Sequence, residues 1–334
     1  MNNLLDRLPQ QAHSKLRSAP RPGWSNPMLA VLTEDRFSDP EWIFERKLDG
    51  IRCLAIRRGN NIQLLSRNRK HLNDHYPEVV DALAEQSAGE FVADGEIVAF
   101  DGSRTSFAKL QGRMQVHDPQ TARRTGIRVF YYLFDLLHLD GHDLTGLELR
   151  HRKALLRRLL RYGGSLRYTP HRVSEGEAYW RHACGRGWEG VIAKRADASY
   201  VHGRSGDWLK FKCVREQEFV IGGYTDPKGS RVGLGALLVG YYERDRFRYA
   251  GKVGTGYNRE MLLRLRKLLD PLELDEPEFA DGKLPRQGVH WVKPELVGQV
   301  TFTEWTRDGR LRHPRFEGLR EDKPAHDVVR EVPR

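Results

Sequence analysis

The sequence predicts an α+β chain in two parts: a larger domain of antiparallel sheets with helices, then a smaller β-barrel carrying one helix. Three observations carry this. Strand-like runs alternate with amphipathic helical stretches up to about residue 213, whereas beyond Val214 short strands crowd around a single helix. The 334 residues are enough to bury a core in each of two domains. No internal repeat is present, which excludes solenoids and propellers.

The elements follow in order. Residues 42–47 (WIFERK) and 51–57 (IRCLAIR) have strand composition on either side of a Lys-Leu-Asp-Gly turn. NIQLLS is another short strand, ending at Ser66-Arg67-Asn68. Tyr76, Val79, Val80 and Leu83 recur at helical spacing with Pro77 near the start, which predicts an amphipathic helix. EFVADGEIVAF at 90–100 reads as strand, 106–114 as a short helix, and RVFYYLFDLLHL at 128–139 as a buried strand closed by Asp140-Gly141. A basic helix over 147–162 stops at Gly163-Gly164, and a second covers about 176–186. The strands EGVIAK and WLKFK complete the first part.

Past Val214 the strands are EFVIGGY, LGALLVGYY, RFRYAGKVG, VHWV and VTFTEW, with one helix at about 258–270 capped by Asn258. The Pro- and acid-rich stretch 271–288 reads as a connection. The oligonucleotide-binding barrel suits the size of this part. Residues 1–24, rich in Pro, Ser, Gln and basic residues, read as a loose leader without an apolar signal core.

Composition narrows the function. A formal charge of +11 with a pI near 9.6 points to an acidic partner, most economically a nucleic-acid backbone. Cys53, Cys184 and Cys213 lie far apart and form no CxxC, so neither a disulfide framework nor a four-cysteine zinc site is readable, which fits a reducing cytoplasm. No apolar run is long enough to span a bilayer, so no membrane role is expected.

The candidate chemistry centres on Glu45-Arg46-Lys47-Leu48-Asp49-Gly50-Ile51-Arg52. A lysine attacks only as the neutral amine, and its ordinary pKa is about 10.4. Burial and neighbouring cations such as Arg46 and Arg52 favour the neutral form. Strand alternation puts Glu45 and Lys47 on one face and turns Arg46 away. By the same rule Lys210 and Lys212 share a face, as phosphate ligands would. A lone K-x-D-G would usually be a turn lysine paired with Asp49, and Lys210 and Lys212 alone would usually be an exposed strand face. No Walker A sequence is present.

The order of motifs along the chain decides the matter. Lys47-Leu48-Asp49-Gly50 is followed by Ser66-Arg67-Asn68, Asp94-Gly95-Glu96, the aromatic run 131–134, Glu189-Gly190-Val191-Ile192-Ala193-Lys194, Trp208-Leu209-Lys210-Phe211-Lys212 and Leu319-Arg320-Glu321-Asp322-Lys323. Over about 45–323 this series resembles the covalent nucleotidyltransferases, which include ATP-dependent DNA ligases and messenger-RNA capping enzymes. Phe219-Val220-Ile221-Gly222-Gly223-Tyr224 and Leu311-Arg312-His313-Pro314-Arg315-Phe316 carry a narrower likeness to the ligase part of bacterial non-homologous end-joining DNA ligases.

The resemblance implies an adenylation (nucleotidyltransferase) domain over 25–213, with ATP-grasp-like antiparallel sheets and helices, and an OB-fold β-barrel over 214–334. It implies that Lys47 forms lysyl-AMP, that Glu45 accepts from the adenine amino group and that Phe134 stacks on the purine. Glu96 would bind ribose and metal, Arg67 ribose or the strand phosphate, and Glu189 a divalent Mg or Mn. Arg52, Arg204, Lys210 and Lys212 would neutralise phosphates. Lys194, closing its motif, would be a further nucleotide contact, and Arg320 and Lys323 would clamp the outer phosphates.

The expected reaction is ATP-dependent joining of 3′-hydroxyl and 5′-phosphate ends in nicked or broken duplex DNA, with the barrel closing on ATP about a hinge near Val214. A monomer in the bacterial cytoplasm, associated with the nucleoid and helped by an end-binding partner such as Ku, is expected. The alternatives are an RNA ligase, a GTP-dependent capping-type enzyme, and a non-catalytic basic nucleic-acid-binding module in which the motifs are relics. Glu45, the C-terminal half and the final R-E-D-K favour DNA ligase, and the absence of a four-cysteine zinc module disfavours a NAD-dependent one.

Overall fold

The computed structural model describes residues 4–280, 284–285 and 287–333. The chain divides into two compact units, Met1–Cys213 with the last two residues, and Val214–Val332.

The first unit begins with β1 (Leu29–Leu32), β2 (Trp42–Lys47), β3 (Ile51–Arg58) and β4 (Asn61–Ser66). Helix α1 (Pro77–Ala84) starts at a proline, whose missing N–H is no loss there, and buries Val79 and Leu83. Next come β5 (Phe91–Asp101) and α2 (Phe107–Met114), whose cap Ser106 accepts from Lys109 N at 3.2 Å. Then follow β6 (Val129–Leu139), α3 (Leu149–Leu159), β7 (His171–Val173), α4 (Gly176–Gly185), β8 (Gly190–Arg195) and β9 (Arg204–Lys212).

These strands form two sheets. An eight-stranded sheet is built around β6-β5-β3-β4, all antiparallel. Alternation splits its side chains between two faces. Cys53, Ala55, Ala93, Ile97, Tyr131 and Leu133 pack on the three helices through Val79, Leu83, Leu110, Leu155 and Leu156. The other face presents Leu54, Ile56, Val92 and Phe134 to Met28, Tyr200 and Trp208. A five-stranded sheet runs β7-β2-β8-β9-β1, antiparallel except between β9 and β1. Its outer face buries Phe44, Val191, Ala193 and Phe211 against Tyr179 and Ala183 of α4. The cleft between the two sheets is where polar side chains collect.

Two expectations fail here. Residues 1–24 do not form a loose leader over their described part: Leu5, Leu8 and Ala12 are buried in the main core, and Arg17–Ser18 pairs with His142–Asp143. With Leu4 and Leu16 packed beside them, these apolar residues dock a segment whose composition is polar. Cys184 and Cys213 are joined in a disulfide, 29 residues apart in sequence. Packing of α4 on the sheet brings its last turn beside the end of β9, a proximity that no CxxC spacing announces.

The second unit contains β10 (Glu216–Thr225), β11 (Leu237–Glu243), β12 (Arg246–Val253), α5 (Arg259–Leu269), β13 (Val289–Val292), β14 (Val297–Thr301) and β15 (Arg315–Leu319). Asn258 caps α5, its side chain accepting from Met261 N at 2.7 Å, and Leu262, Leu265 and Leu269 face the core. Among the described residues the seven-stranded sheet does not close on itself, as suits the partly open barrel of the OB-fold expected here. The reason lies in β10, which shares one edge between β14, over 216–220, and β13, over 223–225. Pairing on that edge therefore branches between Val220 and Gly223, while on the other edge β10 shifts register against β11 between Ile221 and Gly223. Gly222 is required there, since a Cβ would lie 2.6 Å from the rings of Phe247 and Phe279. VTFTEW is two strands, because pairing with β10 ends at Thr301 and Glu304–Trp305 pairs with Leu311–Arg312. Of the expected 271–288 connection, residues 281–283 and 286 lie outside the described residues, and Phe279 is buried in the core.

Candidate active site

Lys47 is the last residue of β2, and strand register builds a row from it. Lys47 lies opposite Gly190 of β8, which lies opposite Lys212 of β9. Two residues along, Glu45 lies opposite Ile192, which lies opposite Lys210. Two further, Ile43, Lys194 and Trp208 are in line. Directly opposed residues in antiparallel strands share a face. So Glu45, Lys47, Lys194, Lys210 and Lys212 occupy one side of the sheet, and Phe44, Val191 and Phe211 pack on the other. Alternation also turns Arg46 to the apolar side, where it lies 4.1 Å from the centre of the Trp188 ring.

The facing sheet supplies the second wall. Phe134 of β6 meets Trp208 edge-on at 6.0 Å, and the Lys194 ammonium lies 4.0 Å from the Phe134 ring and 3.9 Å from Trp208. Arg52 lies 4.6 Å from the Phe134 ring. Its guanidinium, expected on phosphates, instead forks onto the fully buried Asp94 at 2.5 and 2.6 Å. Tyr200 donates to the same carboxylate at 2.7 Å. Glu96 is half-buried and sits opposite Arg52 and Tyr132 in the register. Arg67 is half-buried just past β4. Arg204 is exposed at the start of β9 and donates to Ala30 O at 2.9 Å.

Charge is concentrated around two carboxylates. Lys47 pairs with Glu189, the residue before β8. The second oxygen of Glu189 is buried and has no hydrogen-bond partner. A buried carboxylate oxygen without a partner is costly, and a cation would satisfy it. Among the described residues no cluster of three metal-binding side chains exists.

Glu45 is the other centre. Lys153 of α3 pairs with one of its oxygens, and Lys194 lies 2.7 Å from the other. Burial alone would push Glu45 up, but the two lysines outweigh it and hold the carboxyl below its ordinary value. The two amines then part company. Burial lowers Lys153, yet Glu45 more than offsets this and raises it. For Lys194 burial wins, pushing it down to about 8. One carboxylate compensates one buried cation well, and the second bears the desolvation cost.

Lys153 and Tyr200 were not singled out from sequence, and Trp208 entered only as the first residue of a motif. The signal for Lys153 was available. Leu149, Arg152, Lys153, Leu155 and Leu156 form the buried face of α3, so two of its basic residues sit where a helix puts its apolar stripe. In the second unit, Arg320 forks onto Asp322 at 2.9 Å through both nitrogens, and Lys323 reaches Glu218 at 3.0 Å.

A lysine beside a half-satisfied carboxylate, with further lysines along the same face and an aromatic wall opposite, describes a nucleotidyl-transfer site. The family model for the ATP dependent DNA ligase domain matches residues 27–212, and that for the ATP dependent DNA ligase C terminal region matches residues 230–323. The chain belongs to the ATP-dependent DNA ligases. More narrowly, it is 39% identical over 322 residues to the multifunctional non-homologous end joining protein LigD of Pseudomonas aeruginosa, covering 94% of this chain and 37% of that protein. The multifunctional non-homologous end joining DNA repair protein LigD of Mycobacterium tuberculosis is 40% identical over 315 residues, covering 91% of this chain and 40% of that protein. The chain thus spans about two fifths of the length of these relatives. Among solved structures, a mycobacterial DNA ligase D complexed with ATP and MES matches with a TM-score of 0.67 and 36% identity, covering 92% of this chain and 98% of that one. No described helix is long and apolar enough to cross a membrane.

Proposed function

We propose that this DNA ligase joins 3′-hydroxyl and 5′-phosphate ends of nicked or broken duplex DNA in end-joining repair, with Lys47 as the nucleophile. The observation that carries the reading is the Lys47–Glu189 pair, with its buried second carboxylate oxygen at the end of the Lys47–Gly190–Lys212 row. In the first step the neutral Lys47 amine attacks the α phosphate of ATP. A nitrogen–phosphorus bond forms, and the bond to the departing pyrophosphate breaks. AMP then passes to the 5′-phosphate of the break, and the 3′-hydroxyl displaces it as the phosphodiester forms.

The side chains have assigned parts in this proposal. Glu45 reads the adenine amino group, Phe134 packs on the base, and Arg67 and Glu96 hold ribose. Lys194, Lys210, Lys212 and Arg204 balance phosphate charge as it builds on the transferring group. Arg52, which Asp94 holds beside the Phe134 ring, shares the phosphate role. Glu189 and Glu96 would hold a divalent Mg or Mn, which when bound supplies positive charge to the phosphates. A cation on Glu189 would also compete for the carboxylate that now holds Lys47. Arg320 and Lys323, from the second unit, hold the leaving pyrophosphate.

The LigD relatives are named for non-homologous end joining. We carry that role to this chain, with an end-binding partner such as Ku and action as a monomer on the bacterial nucleoid in the cytoplasm. The test is sealing of a singly nicked duplex. ATP and a divalent cation are expected to support sealing of nicked DNA, and Ku to stimulate joining of linear ends. Sealing of nicked RNA with no activity on DNA would overturn the proposal.

A further inference from the structure

Glu45 is fully engaged from two sides, and only one of its partners belongs to a motif. Lys194 comes from β8, within the same sheet. Lys153 comes from a different layer, the helix α3 that packs against the eight-stranded sheet. Its side chain is 2% exposed, enters along the apolar face of α3 and ends on Glu45. Its ammonium also donates to Thr169 O at 3.2 Å and approaches Phe134 O at 3.5 Å. One amine therefore ties together the strand bearing Glu45 and the backbone of the residue facing the base slot. The Lys153 ammonium also lies 4.8 Å from the centre of the Tyr168 ring.

A buried ion pair rarely adds much net stability over a well-packed apolar substitute. Its better-attested use is to fix geometry. Here the geometry fixed is that of one carboxylate whose oxygens must point in defined directions to accept from an exocyclic amino group. We propose that Lys153 is a positioning residue for nucleotide selection: it orients Glu45 relative to Phe134, so that the slot accepts an amino-bearing adenine edge and rejects the carbonyl edge of guanine. The inference rests on the reading of Glu45 as the base-recognition residue.

The test uses the full chain and measures protein–nucleotide adduct formation from labelled ATP and GTP, as kcat/KM for each. Lys153→Met removes the charge and keeps the length of the side chain. It is expected to lower the ATP-to-GTP selectivity by between about 10-fold and 100-fold, mostly through KM for ATP, as when a partner that orients a ligand is lost. Lys153→Arg, which keeps the charge, is expected to restore most of the selectivity. Because Lys153→Met leaves Glu45 with one cation fewer, its folding is checked by near-ultraviolet circular dichroism. The pair Glu45→Gln with Lys153→Met carries no orphaned carboxylate and closes a double-mutant cycle.

If Lys153 acts through Glu45, the double variant is no less selective than Glu45→Gln alone. Full selectivity in Lys153→Met, or an independent loss added on top of Glu45→Gln, overturns the positioning role. A different outcome marks failure of the underlying reading: Glu45→Leu, which leaves no acceptor at this position, keeps full preference for ATP.

Discussion

At the scale of single residues the site is defined by how few carboxylates serve its cations. Glu45 holds Lys153 and Lys194, and Glu189 holds Lys47 with one oxygen to spare. The shortage is visible in Lys194, whose amine is pushed down to about 8 from an ordinary 10.5 by burial. The sign of the consequence is fixed by linkage. Between these two values the unfolded chain keeps the proton on Lys194 while the folded chain has released it. The unfolded state thus binds more protons, and stability contributed at this residue rises with pH across about 8 to 10.5. Below that window both states are protonated and the burial cost is present in full. Lys153 titrates above the window, so it does not cancel the effect. Replacing Lys194 with Met should flatten the rise, read from urea midpoints at intervals from pH 7 to 10.5. Parallel curves for the two proteins would show that Lys194 keeps its proton in the folded state.

Among elements, β8 is the one on which the site depends. It pairs with β2 on one side and β9 on the other, and so sets Lys47 in line with Lys212 and Glu45 with Lys210. A slip of one residue in β8 would turn Lys194 to the α4 face and break both alignments. Gly190 begins the strand at φ +153°, and a Cβ there would meet Phe211 O at 2.2 Å. Gly190→Ala should therefore cost about 1–3 kcal/mol, through strain and the shift needed to relieve the contact. The thermal midpoint should fall by roughly 2–4 °C for each kcal/mol. Because Glu189 precedes Gly190 directly, adduct formation from ATP should fall further than lost stability explains when assayed well below the midpoint. An alanine variant with unchanged midpoint and unchanged adduct formation would remove Gly190 from this account. The same element explains the disulfide, since Cys213 N donates to Glu189 O at 3.0 Å and α4 delivers Cys184 alongside.

For the whole molecule, periodicity made most of the framework legible. The strands carrying Lys47, Glu96, Phe134 and Lys210 are where composition put them, because each is an apolar run bounded by turn residues. Asn258 was readable as a cap because the leucines that follow it repeat at helical spacing. What stayed hidden depends on contacts distant in sequence. The Arg52–Asp94 fork was not readable because nothing local reveals that Asp94 sits across from Leu54, two residues on from Arg52 in the strand. Lys153 was lost in a helix that reads as basic, although its position on the buried stripe marked it. The leader was judged on average polarity, whereas a few leucine and alanine side chains carry its packing. The branching of the barrel sheet beside one glycine pair is a feature strand counting does not see.

The central claim is that Lys47, and no other amine of this lysine-rich cleft, carries AMP. Incubation with ATP and a divalent cation in the absence of DNA, acid-free digestion and peptide mass spectrometry would locate the adduct. The account predicts AMP on the peptide containing Lys47, release of free ATP from that adduct on adding pyrophosphate, and no adduct in Lys47→Ala. AMP found on Lys194, Lys210 or Lys212, or an adduct that persists in Lys47→Ala, would contradict it.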